Sequence, residues 1–193
     1  MYNSVNSRYT YPGTDIVINK LNIKSEKELK KLETKLVSFK LASIRFEKID
    51  IPYGVERLRW IHKYLFGDIY EFAGEYRLEN ITKDQFRFSE FKYIEDNIEN
   101  ILKNVDIEEI KKKDFDDLVI YLSFLLTELN VLHPFREGNG RTIREFVREI
   151  CYDCGYFIDW QVIDYDLIIA VSKKAIADET EQIELLKKSL KKL

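Results

Sequence analysis

The chain has 193 residues, of which 45% are hydrophobic and 34% charged, with three prolines and seven glycines. That composition excludes a low-complexity or disordered chain and suits one domain with a real core. A net charge of −3 excludes a global basic field for nucleic acid, and no apolar run approaches the roughly 20 residues of a membrane span. No direct nucleic-acid partner and no membrane are expected. The polar start, MYNSVNSRYT, lacks the apolar core and basic flank of a secretory signal, so a cytoplasmic location is expected.

Residues 1–10 read as loose, and YPGT (11–14) as a turn. Helical periodicity begins near Glu26, with Leu32, Leu36, Phe39 and Phe46 as its apolar stripe, and IDIPYG (49–54) breaks it. Leu58, Ile61, His62, Leu65 and Phe66 then repeat at helical spacing before Gly67. His62 lies on that stripe and reads as a hydrogen-bonded core histidine. DIYEFAGEYR (68–77) reads as a short helix ending near Gly74, and NITKDQFRFS (80–89) as a hairpin with a polar tip. Residues 91–104 suggest another helix. DDLVIYLSFLLTELNVL, apolar nearly all round, should be the buried central helix. A last helix is expected over about 178–192, acidic at its start and lysine-rich at its end, as the helix dipole favours. The expectation is one all-α domain over 1–193, with a core of about 11–165, a C-terminal helical segment 166–193 and one small β-hairpin.

Both cysteines fall in CYDCG, as Cys151 and Cys154. Without a second ligand pair or a βαβ context, they read as two small apolar side chains on a helix face. A zinc site built with the two histidines is the competing reading.

The chemistry gathers in VLHPFREGNGRTIREF (131–146). Pro134 disfavours helix at the residue before it, so the central helix should stop near Leu132 and leave His133 at its edge. Ile143, Phe146, Val147, Ile150, Cys151 and Cys154 resume helical spacing, with Gly155 placed as a C-terminal cap. Phe135 reads as the loop's anchor into the core. A helix N-terminus preceded by glycines offers backbone N–H groups and a positive dipole end to an anion. Arg141, Arg144 and Arg148 share a helix sector away from the apolar face, which suits a chain of phosphates. Glu137 would be repulsive there unless a divalent cation bridges it to phosphate, as Mg²⁺ does. Asn139 could orient a phosphate oxygen, and a neutral His133 could accept a hydroxyl proton. These residues suit phosphoryl or nucleotidyl transfer, against the plainer reading of a capped, salt-bridged polar loop. No P-loop is present, and Ile143 stands where a dinucleotide fingerprint wants its third glycine.

HPFREGNGRTIR resembles the signature of the Fic family, H-P-F-x-[D/E]-G-N-[G/K]-R-x-x-R, at every fixed position. YPGTDIVINKLNI, IHKYLFGDIYEFAGEYR and NITKDQFRFS resemble the family's N-terminal segment, core helices and target-docking flap, so the likeness covers about residues 10–165. The resemblance implies a Fic-fold helical bundle and a protein adenylyltransferase using ATP and Mg²⁺. His133 would be the general base for a Ser, Thr or Tyr hydroxyl of a target protein. Glu137 would hold Mg²⁺, and Gly138, Asn139 and Gly140 would form the anion hole. Arg141 and Arg144 would bind the β- and γ-phosphates, Phe135 would fasten the loop, and Lys83 and Phe88 would lie on the docking flap. Gly140 fits the adenylylating branch rather than the lysine-bearing, kinase-like one.

The family's inhibitory motif, [S/T]-x-x-x-E-[G/N], has only a partial counterpart here, Ser43 to Glu47 followed by Lys48. The resemblance therefore favours a toxin held by a small separate antitoxin carrying the inhibitory helix, with self-inhibition through Glu47 and an unregulated or effector form as the alternatives. Gyrase or topoisomerase IV B-type subunits are the targets it suggests. The alternatives are transfer of another nucleotide, phosphate or phosphocholine, and a non-catalytic nucleotide-binding scaffold.

Overall fold

Ser25 accepts a hydrogen bond from the Glu28 N–H and starts α1 (Glu26–Ser43). A 3₁₀ turn and the IDIPYG break follow before α2 (Val55–Phe66). The computed structural model describes residues 7–83, 86–160 and 162–193. A hairpin of β1 (Thr82–Lys83) and β2 (Phe86–Arg87) precedes α3 (Ile94–Leu102) and the short α4 (Ile107–Ile110). Asp114 caps α5 (Phe115–Leu132) through the Asp117 N–H at 2.9 Å. The signature loop leads into α6 (Asn139–Asp153), then β3 (Tyr156–Phe157), α7 (Tyr165–Ala175), α8 (Thr180–Ser189) and β4 (Lys191–Lys192). The architecture is all-α with two small antiparallel strand pairs, β1–β2 and β3–β4. No helix among the described residues is long and apolar enough to cross a membrane.

The core lies where α6 packs between α2 and α5. Leu58, Ile61, His62, Leu65 and Phe66 of α2 are all buried, as their spacing predicts. So are Ile143, Phe146, Val147, Ile150 and Cys151 of α6, while Cys154 is half-buried. Among the described residues no group of three His, Cys, Asp or Glu side chains could hold a metal. Gly155 has φ +81° just past α6, the left-handed conformation that ends a helix. α5 ends at Leu132, as Pro134 demands.

Four expectations are corrected. On α1 the inward face is Leu29, Glu33 and Val37, whereas Phe39 and Phe46 are 68% and 90% exposed. The stripe read from sequence is therefore rotated by about one residue, because a glutamate inside the true stripe broke the apolar pattern. DIYEFAGEYR is a run of turns, with Ile69 N–H to Phe66 O and Glu75 N–H to Phe72 O both at 2.9 Å. Glycines at 67 and 74 bracket too few residues to repay helix nucleation. α5 is not buried all round, since Ile120 and Phe124 are half-exposed. The C-terminal helix stops at Ser189, and Lys191–Lys192 pair with Tyr156–Phe157 instead.

The hairpin falls where predicted, with Thr82 opposite Arg87 and Lys83 opposite Phe86. Its tip lies outside the described residues, as do positions 1–6 of the segment expected to be loose. The YPGT turn forms, with Thr14 N–H to Tyr11 O at 3.0 Å.

Candidate active site

His133 caps α5 in a left-handed conformation (φ 50°, ψ 62°), its N–H still bonded to Leu129 O at 3.0 Å. The ring is buried and stacks on Phe88 from the flap, with centroids 3.8 Å apart. Nδ1 lies 3.0 Å from the Asn130 carbonyl. A carbonyl only accepts, so the neutral ring carries its proton on Nδ1 and Nε2 is the basic nitrogen. Burial pulls the His133 pKa down to about 3, and the cations of Arg77 and Lys83 act in the same direction. The ring is thus neutral at any ordinary pH.

The signature loop is fastened from both sides. Asn139, fully buried, accepts from the Phe135 N–H at 2.8 Å and donates to Phe135 O at 2.7 Å. Its side chain thus spends its oxygen and one of its two N–H donors on the loop, and its backbone N–H begins α6. Phe135 is buried, and its ring stacks on His62 with centroids 3.8 Å apart. His62 takes the Gly74 N–H on Nδ1 at 2.7 Å, so its other nitrogen donates, to Glu137 O at 2.9 Å. The core histidine on α2 thereby holds the loop as well as the core. His62→Leu leaves both backbone groups buried without partners, at roughly 1–3 kcal/mol each. A denaturant midpoint that drops by the equivalent of about 2–6 kcal/mol, with unchanged slope, is expected. A drop under about 0.5 kcal/mol would show that the histidine only fills space.

Gly138 sits at the N-cap of α6 with φ +82°, and a Cβ there would meet the Phe66 ring at 2.4 Å. Glycine is required twice over, by backbone and by space. The leading N–H groups of α6 have no intrahelical partner and point to a cleft of about 730 Å³. Glu33, Lys83, His133, Glu137, Arg141 and Arg144 are among its lining.

Glu137 is half-buried, its carboxylate accepting the Gly138 N–H at 3.1 Å and lying 3.9 Å from Arg141. Burial raises its pKa, and the neighbouring Glu33 carboxylate raises it further. Arg144 is half-buried, and burial lowers its pKa to about 10. It has no ion-pair partner among the described residues. A cation so placed favours an incoming anion.

Arg148 does not join this set. It is buried and paired with Glu145, Nη2 to Oε1 at 2.6 Å, on the side of α6 turned from the cleft. Glu47 does not reach Arg144 either, being exposed and accepting from the Tyr64 hydroxyl at 3.1 Å.

Two buried arginines escaped the sequence reading. Arg77, 1% exposed, donates from Nε to His133 O at 2.8 Å, from Nη1 to Glu79 O at 2.7 Å, and from Nη2 to Ser89 O and Leu132 O. Arg136 pairs with Glu79 at 3.0 Å. Their partners lie two to 57 residues away along the chain, so no local pattern marks either.

The Fic/DOC family pattern matches residues 52–151, just over half of the chain. The chain belongs to the Fic/DOC family. It is 35% identical over 164 residues to protein adenylyltransferase VbhT of Bartonella schoenbuchensis, covering 84% of this chain and 34% of VbhT. It is 33% identical over 160 residues to the probable protein adenylyltransferase Fic of Escherichia coli, covering 81% and 78% of the two. The chain thus spans about a third of VbhT but most of the E. coli protein. Its fold is that of the Bartonella tribocorum BepC crystal structure, solved with bound AMPPNP, at a TM-score of 0.89 and 20% identity over 96% of this chain and 97% of that one. In Fic terms, the whole signature from His133 to Arg144 sits on one loop and the first turns of α6.

Proposed function

We propose that this Fic chain is a protein adenylyltransferase that moves AMP from ATP to a Ser, Thr or Tyr hydroxyl of another protein. The observation that carries this reading is the end of α6. The N–H groups that begin α6, Arg141, and Arg144, which has no ion-pair partner among the described residues, line one cleft with a neutral histidine at its edge. The relatives' names, protein adenylyltransferase, point the same way.

In this reading, the N–H groups that begin α6 at Asn139 and Gly140, opened by the Gly138 turn, cradle the phosphates, and Arg141 and Arg144 neutralise them. His133 Nε2 takes the proton as the target oxygen bonds to the α-phosphorus. The bond from that phosphorus to the oxygen bridging to the β-phosphate breaks, and pyrophosphate leaves with the electron pair. Bound phosphates put negative charge near the His133 ring and raise its basicity above that of the empty site. The flap, with Lys83 and Phe88, presents a strand edge for an extended target segment, and Phe88 covers the base.

Glu137 fits a divalent ion. It is a single carboxylate beside an anion site, with Glu33 adding negative charge that a cation relieves. Glu137 would hold Mg²⁺, which would supply charge neutralisation for the triphosphate.

A separate antitoxin helix would bring an acidic group to Arg144, whose neighbours Tyr165, Ile169 and Ser172 form a wall of the cleft. The type II topoisomerase B-type subunits remain the first targets to try.

The titrations give a prediction. The lowered His133 pKa keeps the base neutral through mild acid, so it contributes no acid limb near 6.5 to kcat/KM. The limb comes from Glu137, whose raised pKa lets protons compete with Mg²⁺. Raising Mg²⁺ should move the limb to lower pH. A limb fixed near 6.5 at all Mg²⁺ concentrations would assign it to His133 and contradict this arrangement.

A further inference from the structure

Glu33 is a carboxylate in the middle of an apolar helix face. It lies between Leu29 and Val37 on the inward side of α1 and is 9% exposed. Burying a carboxylate is costly unless donors saturate it. Here both oxygens are used. Oε1 accepts from Arg141 Nη2 at 2.7 Å, and Oε2 accepts a short hydrogen bond from the Tyr70 hydroxyl.

Tyr70 is itself fixed. It is 2% exposed, and its ring stacks on Phe72 at 4.9 Å. Arg141 lies with its guanidinium carbon 4.7 Å over the Phe66 ring. That is the same ring whose edge forbids a Cβ at Gly138. Arg141 is thus gripped from behind by a carboxylate and an aromatic face, while its side chain stays 27% exposed to the cleft. The grip spends one Nη, which leaves most of the guanidinium donors for a ligand. The other acid within reach is Glu137, at 3.9 Å.

We infer that Glu33 is a positioning residue for Arg141, holding its remaining N–H donors toward the cleft, with Tyr70 holding Glu33 in turn. Without the Glu33 charge, Arg141 loses its rear hold, its guanidinium becomes freer and more open to reagent, and its donors no longer converge on the cleft. The ligand class, a nucleoside triphosphate with Mg²⁺, rests on the function proposed above, whereas the grip on Arg141 does not.

The test has two arms. In the first, the ligand-free protein is treated with a guanidinium-directed dicarbonyl, and modification of Arg141 is followed by peptide mass, with Arg144 and exposed Arg45 as internal references. E33Q should raise the Arg141 rate several-fold and leave Arg45 unchanged, and Y70F should do the same more weakly. In the second, ATP–Mg²⁺ binding is measured by calorimetry. E33Q should weaken it about tenfold, the equivalent of one charge-assisted hydrogen bond. In an R141A background the same change should have almost no further effect. E33D, one methylene shorter, should not restore binding.

An unchanged Arg141 modification rate in E33Q overturns the inference. So does an E33Q binding defect of the same size with and without Arg141, because that is what a purely structural role gives. A wild-type protein that binds no ATP–Mg²⁺ while E33Q still releases Arg141 would instead overturn the nucleotide reading and leave the positioning role standing.

Discussion

His133→Ala lowers transfer of AMP by about 10²–10⁴-fold, the range over which a positioned general base contributes, and leaves ATP–Mg²⁺ affinity within about twofold. In the proposed reaction the imidazole acts on the target hydroxyl while the phosphates bind at α6, so its loss would fall on the transition state. Because Phe88 stacks on the ring at 3.8 Å, alanine also loosens the flap. His133→Gln keeps bulk and polarity at the same place and separates the two effects. If the glutamine variant retains transfer near the wild-type rate, His133 acts as a support for Phe88 and another group is the base. Single-turnover transfer together with calorimetric nucleotide binding reads both quantities.

Arg77→Met costs about 3–5 kcal/mol of stability, the range for stripping a charged partner from a buried network. The arginine holds four carbonyls, those of Leu132, His133, Glu79 and Ser89, with one planar group. Methionine fills the space and supplies no donor. Because those carbonyls lie at the proposed catalytic corner and at the base of the hairpin, transfer is expected to fall at temperatures well below unfolding. Arg77→Lys rescues little, since a single ammonium cannot reproduce the fork. Denaturant melts of the three proteins decide the matter, and a loss under about 1 kcal/mol for methionine would mean that water replaces the arginine at little cost.

The sequence carried those parts of the fold whose signals are local. The α2 stripe, the stop at Pro134 and the Gly155 cap each depend on neighbours within one or two turns and are found as read, and the hairpin forms with its first strand shifted to Thr82–Lys83. The signature loop was legible for the same reason. What failed depends on partners far along the chain. Glu33 is buried only because Arg141, 108 residues later, and Tyr70, 37 residues later, satisfy it. A pattern search treats it as a polar break and shifts the helix face to Phe39 and Phe46. Arg77 and Arg136 carry no local mark of burial, which depends on carbonyl and carboxylate partners elsewhere in the chain. Asn139 also holds Phe135, four residues back, through its amide oxygen and one N–H, a loop-fastening role that motif spacing does not mark. Arg148 shares a helix sector with Arg141 and Arg144, but Glu145 one turn earlier claims it.

The most direct test of the central claim follows which phosphorus stays on protein. Bacterial extract is incubated with the chain, Mg²⁺ and ATP labelled on either the α- or the γ-phosphorus, with His133→Ala as control, and labelled proteins are then mapped by mass. Gyrase and topoisomerase IV B-type subunits are the first candidates. Adenylylation predicts covalent label from the α-phosphorus only, a mass gain of one AMP on a Ser, Thr or Tyr, and loss of both with His133→Ala. Retention of γ-label without α-label, or α-labelling that His133→Ala leaves unchanged, would contradict it.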